Sequence, residues 1–194
     1  WFLPFPDDYV VEQPNWAELL HSTVEALPSF LGVGYLWDPM YPHFATFPVV
    51  SQKQIDLQGF FLPPFFPFLF GDTWMNEVGV LSGMIRPSEA SVKIQAQTGH
   101  DHKFRDIKLW SDLFHTLRPL RENTAIRMLR AAFGPDSEEG AYLITTVKER
   151  SDLCVELQAL QRTDEFYAKW DDTGFVHPDY AAVRSKAVAF MEHA

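Results

Sequence analysis

Gly71-Asp72-Thr73-Trp74-Met75-Asn76-Glu77 is an acidic cluster that follows an apolar segment rich in Phe and Pro, Gly59 to Phe70. The residues from Trp74 to Leu81 are typical of a helix, and a helix that begins just after Asp72 would place this residue at its N-cap. A carboxylate at the exit of an apolar element can also take a proton from a substrate. The stretch therefore predicts either a helix cap or a general base, Asp72, beside an aromatic ring, Trp74, that could stack on a sugar.

A second acidic cluster, Pro6-Asp7-Asp8, follows the apolar run Trp1 to Phe5, which we interpret as a short buried strand. Two adjacent carboxylates after a strand can supply one ligand to Mg²⁺ or Mn²⁺ and orient the other toward a ligand hydroxyl. The alternative is a turn in which the Asp side chains accept backbone hydrogen bonds.

The third cluster, Gly99-His100-Asp101-His102, comes after a predicted half-buried strand, Val92 to Gln97. An imidazole in such a loop can complete the coordination of a metal that already has a carboxylate ligand. The alternative for each histidine is a solvated loop position.

Composition excludes several classes of protein. In the 194-residue chain, 46% hydrophobic and 15% aromatic residues exclude a disordered chain. The net charge of −10 argues against partners such as nucleic acid or anionic membranes, since both need clustered Lys and Arg. The longest apolar stretch contains three prolines and is shorter than the roughly 20 residues of a transmembrane helix.

The absence of common catalytic motifs and the presence of a single cysteine argue against further classes of protein. No Gly-rich phosphate loop and no Gly-x-Ser-x-Gly occurs, which counts against a kinase, a P-loop NTPase and an α/β-hydrolase. Cys154 is the single cysteine and lies on an apolar helical face, so we expect a core thiol. With no signal peptide in the sequence, we expect a soluble, cytoplasmic protein that is not transmembrane.

The sequence pattern changes at about residue 110, from alternating strands and helices to helices. We predict an α/β core at 1–110 and a helical extension at 111–194, which could act as a dimerisation arm or as a lid. The remaining predicted strands are Leu31–Trp37 and Phe47–Val50. One predicted helix is capped by Asn15 and has Glu18 in its first turn, and another starts near Pro178. The other predicted helices are Lys53–Leu57, Ser111–Arg118, Arg121–Phe133 and Glu138–Leu160.

Five segments, taken in order, resemble the second half of a GT-A-fold glycosyltransferase of the large family 2 type. The resemblance covers about residues 1 to 106. The segments are Phe2-Leu3-Pro4-Phe5-Pro6-Asp7-Asp8, Pro14-Asn15-Trp16, Gly32-Val33, Phe47-Pro48-Val49-Val50-Ser51, and Gly59-Phe60-Phe61-Leu62-Pro63 leading into Phe70-Gly71-Asp72-Thr73-Trp74.

The resemblance implies a partial GT-A fold, a Rossmann-like mixed sheet with flanking helices, followed by a helical C-terminal region. It makes Asp8 the ligand of a Mn²⁺ or Mg²⁺ ion and Asp7 its neighbour on the sugar or ribose side. Asp72 corresponds to the catalytic base, and either His100 or His102 corresponds to a late histidine that completes the metal shell.

The implied reaction is transfer of a sugar, of the hexosyl type, from a nucleotide-sugar donor to a carbohydrate or other acceptor hydroxyl with inversion. Trp37, Trp74 and Glu77 would form the acceptor site. Pro6 stands where many relatives have a first Asp or Asn. Because such enzymes hold the nucleotide with an N-terminal half, we expect this chain to be part of a longer protein.

Two other interpretations stay open. A domain of the same fold could bind a carbohydrate or a protein partner without catalysis. A metal-dependent hydrolase could use Asp7, Asp8 and the histidines at 100 and 102, although the sequence has no His-x-x-x-His ligand motif. The helical extension could also form a homodimer.

Overall fold

The computed structural model describes residues 1–4, 9–66, 70–94, 106–161 and 180–193. These residues form an α/β fold with a mixed four-stranded sheet, which confirms the predicted class. The strands are β1 (Tyr9–Val11), β2 (Val33–Trp37), β3 (Phe47–Val49) and β4 (Ile85–Ile94); the helices are α1 (Trp16–Glu25), α2 (Gln52–Gln58), α3 (Gly71–Ser82), α4 (Ile107–Thr116), α5 (Arg118–Phe133), α6 (Glu138–Gln161) and α7 (Tyr180–His193), with a 3₁₀ turn at Pro28–Phe30.

The sheet has the order β1-β4-β2-β3. Its two central strands, β4 and β2, run parallel, with Val33 opposite Ile85. Both outer strands are antiparallel to their neighbours. The predicted strand at Trp1–Phe5 is wrong as far as the structure describes it, because Phe2 makes only an isolated bridge to Val50.

Strand β4 begins well before the predicted Val92. Pro87 and Ser88 lie in its first half and hide the strand pattern, yet Pro87 pairs in register with Tyr35 of β2. Strand β1 was not predicted, and residues 95–97 of the predicted strand lie outside the described residues.

The helices match the predicted segments, but three begin about one turn earlier than predicted. Helix α3 begins at Gly71 rather than Trp74, and α4 begins at Ile107 rather than Ser111. Helix α5 begins at Arg118 rather than Arg121, because Pro119 lies in its first turn, where a missing backbone N–H costs little. Asn15 precedes α1 but makes no side-chain cap bond. At the start of α2, Ser51 is a capping residue, since its Oγ accepts a 3.0 Å hydrogen bond from the backbone N–H of Gln54.

Helix α3 lies close against the sheet at a glycine. A Cβ on Gly79 would be 3.1 Å from the Cβ atoms of both Val33 and Ile85, so a larger residue would push the helix away. On the other face of the sheet, α1 contributes Leu20 and Val24 to a smaller core.

The main hydrophobic core joins both halves of the sequence. Val33 and Trp74 from the first half pack in one cluster with Phe114, Met128 and Val147 from the helices after residue 110. The predicted helical extension therefore shares its core with the α/β part. Among the described residues, no helix is long and apolar enough to cross a membrane.

Candidate functional site

A cavity of about 630 Å³ lies between α3, α6 and the loop that follows β2. Its volume is within the range of small-molecule sites. The loop follows the carboxyl end of a strand in a parallel pair, which is where open α/β sheets bind ligands. The cavity is lined by Met40, Tyr41, Pro42, His43, Phe44, Phe70, Thr73, Asn76, Glu77, Ile107, Cys154, Leu157, Gln158 and Gln161.

Asp72 lies in the first turn of α3 and not at its cap. The N-cap is Phe70, with φ 75°, so the predicted cap role of Asp72 is wrong. The Oδ1 atom of Asp72 accepts a 2.7 Å hydrogen bond from the backbone N–H of Thr73. Burial raises the pKa of Asp72 above its usual value, although the hydrogen bonds from Thr73 oppose that shift. Asp72 is not itself a lining residue of the cavity, although Phe70 and Thr73, two positions before it and one after it, are.

Glu77 is buried on α3, and both of its carboxylate oxygens accept hydrogen bonds from other helices. Arg121 Nε of α5 donates to Oε1 at 2.7 Å, and Gln158 Nε2 of α6 donates to Oε2 at 2.9 Å. The guanidinium of Arg121 also lies 3.7 Å from the centre of the Phe114 ring. Glu77 therefore reaches the cavity with its charge already compensated.

Trp74 is fully buried in the main core. Its indole contacts the rings of Phe60 and Phe65 at centroid distances of 5.9 and 6.1 Å. Stacking on a sugar needs an exposed ring face, which Trp74 does not offer in this arrangement. Trp37, at the end of β2, keeps 39% of its surface exposed and can offer one.

Asp38 is a buried carboxyl that the sequence analysis did not select. It follows directly after β2, and its Oδ1 accepts a 2.9 Å hydrogen bond from the backbone N–H of Met40. Its Oδ2 is buried with no hydrogen-bond partner among the described residues. The available signal was its position at the end of a buried strand.

The polar atoms on the cavity wall differ in how far they are satisfied. Asn76 Oδ1 accepts a 3.0 Å hydrogen bond from the backbone N–H of Ala45. Gln158 Oε1 is buried and has no hydrogen-bond partner within the described part of the chain.

The thiol of Cys154 also lines the cavity and is partly buried. Burial, together with the negative charge of Glu77, raises the pKa of this thiol to about 11, which fits the predicted core thiol better than a nucleophile.

Four predicted site residues, Asp7, Asp8, His100 and His102, lie outside the described residues. Across the described ranges, no group of three or more His, Cys, Asp or Glu side chains could hold a metal ion. The predicted Mn²⁺ or Mg²⁺ site would depend on Asp8 and His102, and it stays a prediction.

No protein-family model, curated protein or solved structure matches this chain. The resemblance to family 2 glycosyltransferases thus rests on the order of the sequence segments.

Proposed function

We propose that this chain forms the acceptor-side part of an inverting, nucleotide-sugar-dependent glycosyltransferase of the GT-A type. The observation that carries the proposal is the partly buried carboxyl of Asp72, whose pKa is raised by desolvation and which has no ion-pair partner among the described residues. It lies in the first turn of the helix that forms one wall of a ligand-sized cavity. The mixed sheet and the position of the cavity are compatible with the same fold.

In the proposed reaction, Asp72 takes the proton from the acceptor hydroxyl as its oxygen attacks the anomeric carbon of the donor. The bond between that carbon and the diphosphate oxygen breaks, and the electron pair leaves with the diphosphate. A carboxylate with a raised pKa is a stronger base at neutral pH. Such a base contributes a rate factor of about 10²–10⁴.

The donor side would be held by residues outside the described ranges. A divalent cation bound by Asp8, with Asp7 and a histidine at 100 or 102 nearby, would offset the charge of the leaving diphosphate. On the acceptor side, Trp37 lies outside the lining of the cavity but keeps 39% of its surface exposed, and this surface would contact the sugar.

A second candidate function is a non-catalytic domain that binds a carbohydrate or a protein in the same cavity. Two observations favour it. Glu77 is already paired with Arg121, and Trp74 is part of the core, so two of the predicted acceptor contacts have structural roles.

The test uses the full-length protein and the substitution Asp72→Asn, which keeps the hydrogen bond from Thr73. Release of UDP or GDP from a panel of UDP- and GDP-hexoses with Mn²⁺ should fall by about 10²–10⁴-fold in this variant. Calorimetric binding of UDP or GDP should stay unchanged. The matched control is Asp56→Asn, which removes an exposed carboxylate on α2 and should leave both measurements unaltered.

Nucleotide binding separates the two candidate functions. In the transferase, binding of UDP or GDP needs Mn²⁺ and is lost in Asp8→Ala. If the full-length protein binds neither nucleotide, or binds one equally well without metal, the transferase proposal is wrong and the binding domain remains.

A further inference from the structure

The lining of the cavity carries little free charge. Neither Lys nor Arg occurs among the described lining residues, where His43 is the one imidazole, and the carboxylate of Glu77 is compensated by Arg121 at 2.7 Å. Phosphate groups are held in proteins mainly by cationic side chains and backbone N–H groups. The cavity is therefore unsuited to the diphosphate of a donor and suited to a neutral molecule.

The mouth of the cavity is apolar and partly exposed. Met40 and Tyr41, on the loop after β2, are 57% and 53% exposed, and Leu157 of α6 is 51% exposed. Phe44 and Ile107 continue the apolar lining. A ligand with an apolar body would cover these side chains and remove their surface from water.

One polar group in the lining indicates which chemical group the polar head of the ligand must have. The amide nitrogen of Gln158 donates to Glu77 Oε2, and this bond fixes the orientation of the amide because a carboxylate can only accept. The oxygen, Gln158 Oε1, is then left as a buried acceptor without a partner among the described residues. Since buried polar atoms are nearly always hydrogen-bonded, a ligand that fills this position must supply a donor.

We propose that the cavity binds the acceptor as a neutral amphiphilic alcohol. Its apolar body lies against Tyr41 and Leu157, and a hydroxyl of its polar head donates to Gln158 Oε1. The inference rests on the proposed function in giving this ligand the role of acceptor. It also assigns acceptor recognition to α6, which lies outside the part of the sequence covered by the glycosyltransferase resemblance.

The test is calorimetric titration of the full-length protein with octyl β-D-glucopyranoside below its critical micelle concentration, without metal or nucleotide. We expect saturable binding at one site. Leu157→Ala should weaken it by about 3- to 10-fold, because the leucine loses its contact with the alkyl chain. The matched control is Leu153→Ala on the same helix, which is 54% exposed and lies outside the lining; it should leave binding unchanged.

The polar contact is tested with Gln158→Met, which keeps the length of the side chain and removes the acceptor. Binding of octyl glucoside should weaken by about 3- to 10-fold, the effect of one hydrogen bond. Octyl phosphate, with the same chain and a charged head, should bind at least tenfold more weakly than octyl glucoside to the unaltered protein, since the described lining has no Lys or Arg to pair with the phosphate.

Three results would overturn the inference: no saturable binding of octyl glucoside, equal weakening by both leucine substitutions, or equally tight binding of octyl phosphate. If Gln158→Met lowers the melting temperature, the substitutions of Leu157 and Leu153 still test the inference, because each leucine is about half exposed and its loss should not unfold the protein. Nucleotide binding is measured separately. Binding of octyl glucoside without any UDP or GDP binding would defeat the transferase alone, whereas the reverse result would defeat this inference alone.

Discussion

Asp72 and Glu77 are two carboxyl groups on the same helix, α3, in opposite circumstances: Glu77 is fully buried, and Asp72 is partly buried. Glu77 faces a guanidinium at 2.7 Å and an amide at 2.9 Å, so both its oxygens and its charge are compensated. Asp72 has hydrogen bonds from Thr73 and no ion pair with any described residue, and burial raises its pKa. The difference indicates that the compensated carboxylate of Glu77 holds helices together, while the carboxyl of Asp72 is desolvated without an opposite charge from the described residues to compensate it.

The largest expected effect comes from removing the compensation at Glu77. Glu77→Gln leaves the guanidinium of Arg121 buried without an opposite charge, and breaking such a pair costs about 3–5 kcal/mol of folding free energy. Urea denaturation measures the loss. Glu25→Gln is the control, because Glu25 forms an exposed pair with His21 and should change stability by less than about 0.5 kcal/mol. A loss below about 1 kcal/mol for Glu77→Gln would contradict a structural role for the pair.

A smaller effect of opposite sign is expected at Asp72. Because its pKa is higher in the folded than in the unfolded protein, the folded state binds more protons, and stability decreases as pH rises from the unfolded to the folded pKa. Asp72→Asn removes this penalty. It should raise the melting temperature by a few degrees above the folded pKa and leave it unchanged well below the unfolded pKa.

Melting curves from acid to neutral pH test this prediction, with Asp56→Asn as the exposed control that should show no pH-dependent gain. A loss of stability in Asp72→Asn that is the same at every pH would show that the carboxyl is not destabilised by burial. The carboxyl groups of Asp72 and Glu77 would then both stabilise the folded protein.

The smallest effect concerns Cys154, which lines the cavity beside the compensated pair. Since burial and the charge of Glu77 raise the pKa of its thiol to about 11, the reactive thiolate is scarce at pH 8. Alkylation by iodoacetamide should be about 10²-fold slower in the folded protein than in urea, as followed by mass spectrometry. Comparable rates in the two conditions would contradict the raised pKa of the thiol.

Local patterns in the sequence predicted the helices better than the sheet. Apolar periodicity marks α1 and α4 because it repeats along one segment. Only the last three of the ten residues of β4 were predicted, since Pro87 and its polar neighbours interrupt the pattern that defines a strand. The pairing of strands depends on contacts across the sheet, which a local pattern does not record.

The candidate site could be predicted only in part for the same reason. Asp72 stands out in the sequence, but Arg121 is 44 positions from Glu77, and Gln158 is 81 positions from it. Nothing local to Glu77 distinguishes a substrate contact from a structural ion pair. Trp74 is equally ambiguous, because an aromatic residue that packs in a core and one that binds a sugar have the same sequence signature.

Helices α3 and α6 are joined at two levels. Besides the bond from Gln158 to Glu77, Arg150 Nη1 of α6 donates to the carbonyl of Leu81 at 3.1 Å, close to the end of α3. A Cβ on Gly83, where φ is 69°, would lie only 2.8 Å from that nitrogen, so glycine keeps the approach open. Because of these two links, we expect the helices to open together, with amide protons that exchange only when the core opens. Adjustment of the cavity to a ligand must then come from the loop after β2.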